Sequence, residues 1–315
     1  MKRLRAITIF NLLVFFGNIL LVCSSQAEYS LASKFEPNRI LWNRLVYKAK
    51  SSLGTVTNDV QLKYESVNKV AKLLIETPSG KASQTGSSNL LSITTYSIFD
   101  PYFGTTELLS SQSWYDPSAV VVLQRVRERR GKEKWHKIYR FMDNGVYRIR
   151  KKPKDSEEAD LPLELWTKIR GSFYPFEKNY LSCSRVLTPN MLLVLVSSVD
   201  FQTEDEPLNL CVFNKKQLHN VQIRSAGIKR LKLSYKERSK SRKVHRKERV
   251  ETLKLSFTIR SYVRKNRKPE PFSFLGLNGD FNIYIKKDTK LPVRVSGKVP
   301  KVGKVDFHLQ EVQLR

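Results

Sequence analysis

From Leu253 to Val263 apolar residues occupy alternate positions: Leu253, Leu255, Phe257, Ile259 and Val263 interleave with Lys254, Ser256, Thr258, Arg260 and Tyr262. In an extended chain successive side chains point to opposite faces, so this stretch demands a strand with one buried and one wet face. Phe281, Ile283 and Ile285 keep the same period, as do Leu231, Leu233 and Tyr235, and Val305, Phe307 and Leu309. Each segment is bounded by Gly, Pro or charged turns, which predicts antiparallel hairpins in the last third of the chain.

Earlier, Ala119 to Val126, the turn Arg129-Arg130-Gly131-Lys132 and Trp135 to Phe141 predict another hairpin, with Val146 to Arg150 as its neighbour. Helix signals are few. Asp160 can cap a short helix over 161–170 in which Leu161, Leu165, Trp166 and Ile169 share a face, with Pro162 in the first turn and Gly171 at the exit. Ser79 to Ser88 and Lys151 to Asp160 read as loops. No repeat of fixed period is present, and a hydrophobic content of 40% supports a real core. The expected fold is all-β and mainly antiparallel, a curved open barrel or sandwich with one or two short helices, forming a single domain over 28–315.

The first 27 residues set the expected compartment. Lys2, Arg3 and Arg5 precede an apolar run from Ala6 to Val22, and Ser25 and Ala27 are the small residues that a signal peptidase reads, with cleavage expected before Glu28. The alternatives are an uncleaved anchor, since such a run is near the lower limit of spanning length, and lipid attachment at Cys23. The expected location is periplasmic or outer-envelope. An oxidising compartment would join Cys183 and Cys211 in a disulfide, the alternative being a buried free pair; no CxxC or HxxxH pattern suggests zinc.

Fifty-seven Lys and Arg against 29 Asp and Glu give a net charge of +28. A field of that sign favours anionic partners, which for an exported protein means lipid headgroups, lipopolysaccharide or wall polymers; compositional bias without any partner is the alternative. Positive charge is densest from Lys236 to Arg249, where Lys236, Arg238, Lys240, Arg242, Lys243, Arg246, Lys247 and Arg249 face only Glu237 and Glu248. Between two strands, this segment is expected to be a long solvent-exposed hairpin loop that could dock on an anionic surface. A second basic tip, Arg125 to Lys137, carries Trp135, a residue suited to a lipid interface. Nucleic acid is not expected as a partner, because no aromatic interrupts the basic run between Tyr235 and Phe257 for bases to stack on.

Signals for catalysis are absent. His136, His219, His245 and His308 are scattered, no GxSxG, SxxK, HExxH or phosphate-loop pattern occurs, and the acidic clusters Glu157-Glu158-Asp160 and Glu204-Asp205-Glu206 read as solvated loops. No enzyme activity and no cofactor are expected.

Near the C-terminus, Phe281-Asn282-Ile283-Tyr284-Ile285-Lys286-Lys287-Asp288 leads to Lys290-Leu291-Pro292-Val293-Arg294-Val295 and then Gly303-Lys304-Val305. These residues resemble the closing strands of an exported bacterial family, domain-of-unknown-function family 3108. Arg44-Leu45-Val46-Tyr47 and Ile138-Tyr139-Arg140-Phe141 extend the likeness, whereas Trp166 to Gly171 depart from the family pattern and the basic segment is an insertion. The resemblance implies a β-rich envelope domain and brings no catalytic residues. A curved sheet with an apolar concave face can hold an acyl chain. The leading expectation is therefore a lipid or lipid-like ligand in a cleft lined by Leu253, Leu255, Phe257, Ile259, Phe281, Ile283 and Ile285. The alternative is an assembly scaffold that binds proteins or wall polymers and takes no small ligand.

Overall fold

The alternation seen in sequence becomes strand over most of the chain. A computed structural model describes residues 31, 34–78, 80–176, 185–201, 207–261, 270–300 and 302–315, and among these sixteen strands form one mainly antiparallel sheet. The leader, Cys23, Cys183, the Glu204 to Glu206 cluster, Tyr262 and Val263 lie outside the described residues.

The first eight strands form an up-and-down meander. They are β1 (Trp42–Ser51), β2 (Gly54–Ser66), β3 (Asn89–Pro101), β4 (Glu107–Asp116), β5 (Val121–Arg130), β6 (Trp135–Met142), β7 (Gly145–Lys152) and β8 (Lys168–Pro175). The second group comprises β9 (Val186–Leu187), β10 (Leu208–Asn214), β11 (Gln217–Arg238), β12 (Lys243–Ser261), β13 (Ser273–Phe274), β14 (Leu277–Lys286), β15 (Pro292–Val299) and β16 (Gly303–Leu314). Strand order runs from β8 down to β1, crosses to β16, then passes through β15, β14, β12, β11 and β10 to β9. The first and last long strands are thus paired, Leu45 opposite Val312 and Tyr47 opposite Leu309, and they join the two groups. The expected hairpin is β5 to β6, with Gly131 at φ +130°, a backbone conformation that L side chains resist.

The sheet curls until its two ends meet face to face. Phe213 on β10 sits edge-on to Tyr139 and Phe141 of β6, with ring centroids 6.1 and 5.8 Å apart, and 5.9 Å from Tyr174 of β8. Strands β8 and β9 end the hydrogen-bonded path, so the sheet stays open. At the far end of the β11 to β12 hairpin, Lys236 to Arg238 pair in parallel with Glu311 to Gln313 of β16.

Short helices accompany the sheet, among them, in the described residues, α1 (Val67–Ala71), α2 (Ser156–Ala159) and α3 (Met191–Ser198). All eight residues of α3 are buried. A helix apolar on every side has no wet face to offer, so it belongs inside. Here it lies in the main core, and the indole of Trp42 on β1 donates to Ser197 Oγ at 2.9 Å. A smaller cluster on the outer face packs Val70 of α1 against Leu90, Trp114 and Leu123.

Two expectations are corrected. The basic segment 236–249 is strand, not a long loop: β11 and β12 stay in register from Leu231 opposite Val250 to Arg238 opposite Lys243, which leaves only 239–242 as the turn. Repulsion is offset by carboxylates on three strands, since Glu237 pairs with Arg246 at 2.6 Å, Glu311 with Arg238 at 3.1 Å, and Glu248 with Lys286 at 3.2 Å. The helix over 161–170 is also absent. Pro162 is extended at φ −54° and ψ 149°, only Leu163–Leu165 make a 3₁₀ turn, and 168–175 are β8, paired residue for residue with β7. Gly171 lies so close to β7 that a Cβ there would meet Tyr147 Oη at 2.9 Å.

The Ser-rich segment before β3 is a loop, and one carboxylate ties it down. Asp116 accepts hydrogen bonds from Thr85 Oγ1 at 2.7 Å, Ser87 Oγ at 2.6 Å and Ser118 Oγ at 2.7 Å. Burial raises its pKa, but hydrogen bonds from Ser118, Ser87 and Thr85 outweigh it, and the group is held well below the usual carboxylate range. A depressed carboxylate stabilises the fold above its unfolded pKa, and that contribution is lost as pH falls toward the folded one. Asp116→Asn is expected to cost about 1–3 kcal/mol at pH 7, with the deficit shrinking below about pH 4; paired denaturant titrations at pH 7 and pH 3 check it.

Candidate functional site

Residues two apart on a strand share a face, and on β6 and β7 the inward face is marked by the core residues Tyr139, Phe141 and Val146. The same alternation brings Lys137 and Arg148 to that face. Cross-strand pairing then lines up cations directly opposite one another. Arg127 of β5 stands opposite Lys137 of β6, Lys137 opposite Arg150 of β7, and Arg150 opposite Arg170 of β8. One step along, Arg125 faces Tyr139, which faces Arg148.

Like charges directly opposite in a sheet destabilise it, and this row lacks the usual relief. Among the described residues no carboxylate is ion-paired to Arg125, Arg127, Lys137, Arg148, Arg150 or Arg170. Arg125 is 6% exposed and donates from Nε to Ser111 Oγ at 2.8 Å. Arg148, also 6% exposed, donates from Nη2 to Ser172 Oγ at 3.0 Å and lies 5.1 Å above the Tyr174 ring. The Nε atoms of Arg127 and Arg148 are buried without a hydrogen-bond partner. Lys137 Nζ rests 3.7 Å above the Trp135 ring, with the Arg127 guanidinium 5.5 Å from the same ring.

Of these cations, Arg127, Lys137 and Arg148 line a cavity of about 670 Å³. One wall is apolar and comes from the first meander: Leu53, Val56, Phe99, Leu108 and Leu109. Further apolar lining comes from the end of the chain, with Val299, Pro300, Val302 and Val305. Trp135 and Tyr139 form part of the lining between Arg127, Lys137 and Arg148. Three carboxylates line it, each already engaged: Glu107 holds Arg129 at 2.9 Å, Glu133 lies 3.6 Å from the same guanidinium, and Glu270 holds Lys216 at 3.4 Å. The result is a greasy chamber with an unpaired cationic side.

The residues expected to form a ligand cleft do not line this cavity. Leu253, Leu255, Phe257, Phe281, Ile283 and Ile285 are at most 6% exposed, Ile259 is half-buried, and all belong to the core or pack on it. Phe257 and Phe274 stack on Phe281 with centroids 4.4 and 4.7 Å away, which fills the space a ligand would need. Of the expected surface-binding cations, Lys236, Lys240, Arg242, Lys243, Lys247 and Arg249 are exposed, while Arg238 and Arg246 are half-buried in ion pairs. Cys211 lies on β10, and Cys183 lies outside the described residues. Trp135, expected at a surface tip, is 6% exposed and turned inward beneath Lys137.

The cavity cations were missed as a site although a signal existed. Arg125, Arg127 and Arg129, then Arg148 and Arg150, are spaced by two, so each set shares one strand face. Only the register tells that these faces adjoin and look inward. Other polar groups read as structural. His219 is fully buried, burial and Lys215 push it down to about 4, and its Nδ1 lies 3.1 Å from Ser261 Oγ. No cluster of three or more potential metal ligands occurs among the described residues.

No family model matches the chain, and no curated protein matches it. The likeness to domain-of-unknown-function family 3108 accordingly remains an expectation. Among solved structures, the chain is similar to a beta-barrel-like protein of domain of unknown function DUF1849 from Brucella abortus, at 6% identity and a TM-score of 0.42, over 88% of this chain and 99% of that one.

Burial, then the neighbouring Arg127, Arg148, Arg150 and Lys152, push Lys137 down to about 7. Below that pH the ammonium is charged in both folded and unfolded chains, and holding it in the site costs stability; the cost is relieved as pH rises from about 7 toward the ordinary lysine value. Lys137→Met is therefore expected to stabilise the ligand-free protein by about 1 kcal/mol at pH 6, after allowance for solvent screening, and by less at pH 9. Thermal unfolding at the two pH values, with a rise of about 2–4 °C at pH 6, checks it.

Proposed function

We propose that this protein is an exported envelope protein that binds a lipid or lipid-like molecule, with the cavity between the two halves of the sheet as its binding site. The observation that carries the reading is a 670 Å³ space walled by Leu53, Phe99, Leu108, Val302 and Val305. That volume is in the range of small-ligand sites, and each methylene buried there contributes about 0.8 kcal/mol. Apolar residues continue to its mouth: Leu53 is 47% exposed, and beside it Tyr102 and Phe103 are 59% and 94% exposed. Such a rim suits contact with the surface from which an acyl chain would enter.

The exposed cations of the β11 to β12 hairpin support a second element of the reading, attachment to anionic envelope surfaces. On its solvent face Lys232 stands opposite Arg249, and Lys236 and Lys247 are exposed nearby. A cation-rich strand face is repelled by its own neighbours and relieved by phosphate or carboxylate from a partner. The same hairpin favours the alternative reading, a scaffold that binds proteins or wall polymers without a small ligand. No catalytic step is assigned.

Mass spectrometry of organic extracts from protein expressed with export and purified without detergent separates the two. A lipid near one-to-one stoichiometry, lost in Leu109→Trp, which fills the cavity from β4, is the expected result. Protein free of lipid would overturn the carrier reading and leave the scaffold. Intact mass of the exported protein checks the compartment: a start at Glu28, and a mass under non-reducing conditions two hydrogen atoms lighter than under reducing ones, are expected of cleavage and a Cys183 to Cys211 disulfide.

A further inference from the structure

We propose that the ligand of this cavity is a phosphorylated amphiphile, with its phosphate seated on the cation row formed by Arg127, Lys137 and Arg148. The inference rests on the reading of the cavity as a lipid site and goes beyond it by naming the headgroup chemistry. Three observations converge on it.

The first is the arrangement. Arg127 of β5 stands directly opposite Lys137 of β6, and Arg148 of β7 lies one step along, opposite Tyr139; with strands about 4.8 Å apart the three cations span about 10 Å. A single carboxylate would engage one or two members. A phosphate monoester brings about −1.5 to −2 charges and three acceptor oxygens, and a row of this length accommodates further phosphate or anionic groups along the headgroup.

The second is the absence of internal partners. The carboxylates that line the cavity, Glu107, Glu133 and Glu270, are engaged with Arg129 and Lys216, and among the described residues none is ion-paired to Arg127, Lys137 or Arg148. A buried charge left unpaired costs far more than a paired one, so the arrangement makes sense when an anion arrives from outside. The third is the geometry of the free donors. The Nε atoms of Arg127 and Arg148 are buried without a hydrogen-bond partner, and a rotation of either guanidinium that turns Nε and a neighbouring Nη to the cavity would present the planar edge that grips two phosphate oxygens at once. Lys137, on the Trp135 ring between them, adds a point charge.

The hydrophobic walls begin at the same residues, since Leu109, Trp135 and Tyr139 line the cavity together with the three cations. A phosphate bound at the row would leave its acyl chains against Leu53, Phe99 and Val302. Headgroup and chain thus have adjoining places in one chamber.

The test measures binding to the full exported chain, at fixed ionic strength, of three probes: dihexanoyl phosphatidic acid as monomers, dihexanoyl glycerol, and inorganic phosphate. Phosphatidic acid is expected to bind about tenfold or more tightly than the glycerol, and Lys137→Met and Arg148→Lys are each expected to shrink that ratio by weakening phosphatidic acid more than the glycerol. Arg148→Lys keeps the charge and removes the planar edge, so it guards against a loss that reflects charge alone. Equal affinities for phosphatidic acid and glycerol would overturn the headgroup assignment and leave the lipid cavity standing. Failure of both lipids to bind would overturn the cavity reading as well. Inorganic phosphate binding as tightly as phosphatidic acid would make the row a free-phosphate site and overturn the amphiphile.

Discussion

The pairing of β1 with β16 is the contact on which the rest of the molecule depends. Each half of the chain is a meander whose strands find partners close by in sequence, and each alone would expose an unpaired edge, a template for association. Joining them brings residues 42–48 to residues 308–314. That closure carries the loop-entropy cost of nearly the whole chain, which grows only slowly with length, and it is held by more than the ladder. Arg44 on β1 pairs with Asp59 at 2.6 Å and lies 3.7 Å from Glu311 of β16, and the buried Tyr47 hydroxyl donates to Pro292 O at 2.7 Å. Trp42 extends the seam to α3 through Ser197. Because contacts of such sequence separation are formed late and slowly, this seam is where the fold is most non-local.

The cavity follows from the seam. Its apolar lining is drawn from opposite ends of the chain, residues 53–109 and residues 299–305, which the β1 to β16 pairing brings side by side. Neither half encloses anything without the other. The core is filled by α3 and by the stacked rings around Phe281, whereas the cavity opens where the inward face carries Arg and Lys instead of Leu and Phe. Long charged side chains with unused donors cannot close-pack as apolar ones do. The cations and the void therefore have one origin.

Two groups of like charge in this protein are handled in different ways. The β11 to β12 hairpin is exposed and interleaves Glu237, Glu248 and Glu311 with its basic residues, which lets a segment rich in Lys and Arg extend as strand. The cations on β5 to β7 are half-buried or buried and have no such relief among the described residues. A local rule broken without compensation inside an otherwise consistent sheet marks the place where stability has yielded to another demand.

Much of this was legible in the sequence by itself. The two-residue alternation fixed strands at 253–261, 281–285 and 305–309, the β5 to β6 turn at Gly131, and a mainly antiparallel sheet, because side-chain direction in an extended chain is a local property. Local reasoning failed where partners came from afar. Residues 236–249 looked too basic to be ordered until Glu311 of β16 and the cross-strand ladder were in place, and 168–170 looked helical until β7 claimed them. The apolar run Met191 to Val196 has no period to read, so its helix and its place at the centre were set by what surrounds it. Above all, alternation assigned faces within each strand but not what the faces look upon. Leu255 and Ile283 pointed inward as expected and met packed rings, whereas Arg127, Lys137 and Arg148 pointed inward into the one cavity described here. Register and sheet curvature made that choice, since both depend on pairings between residues far apart in the chain.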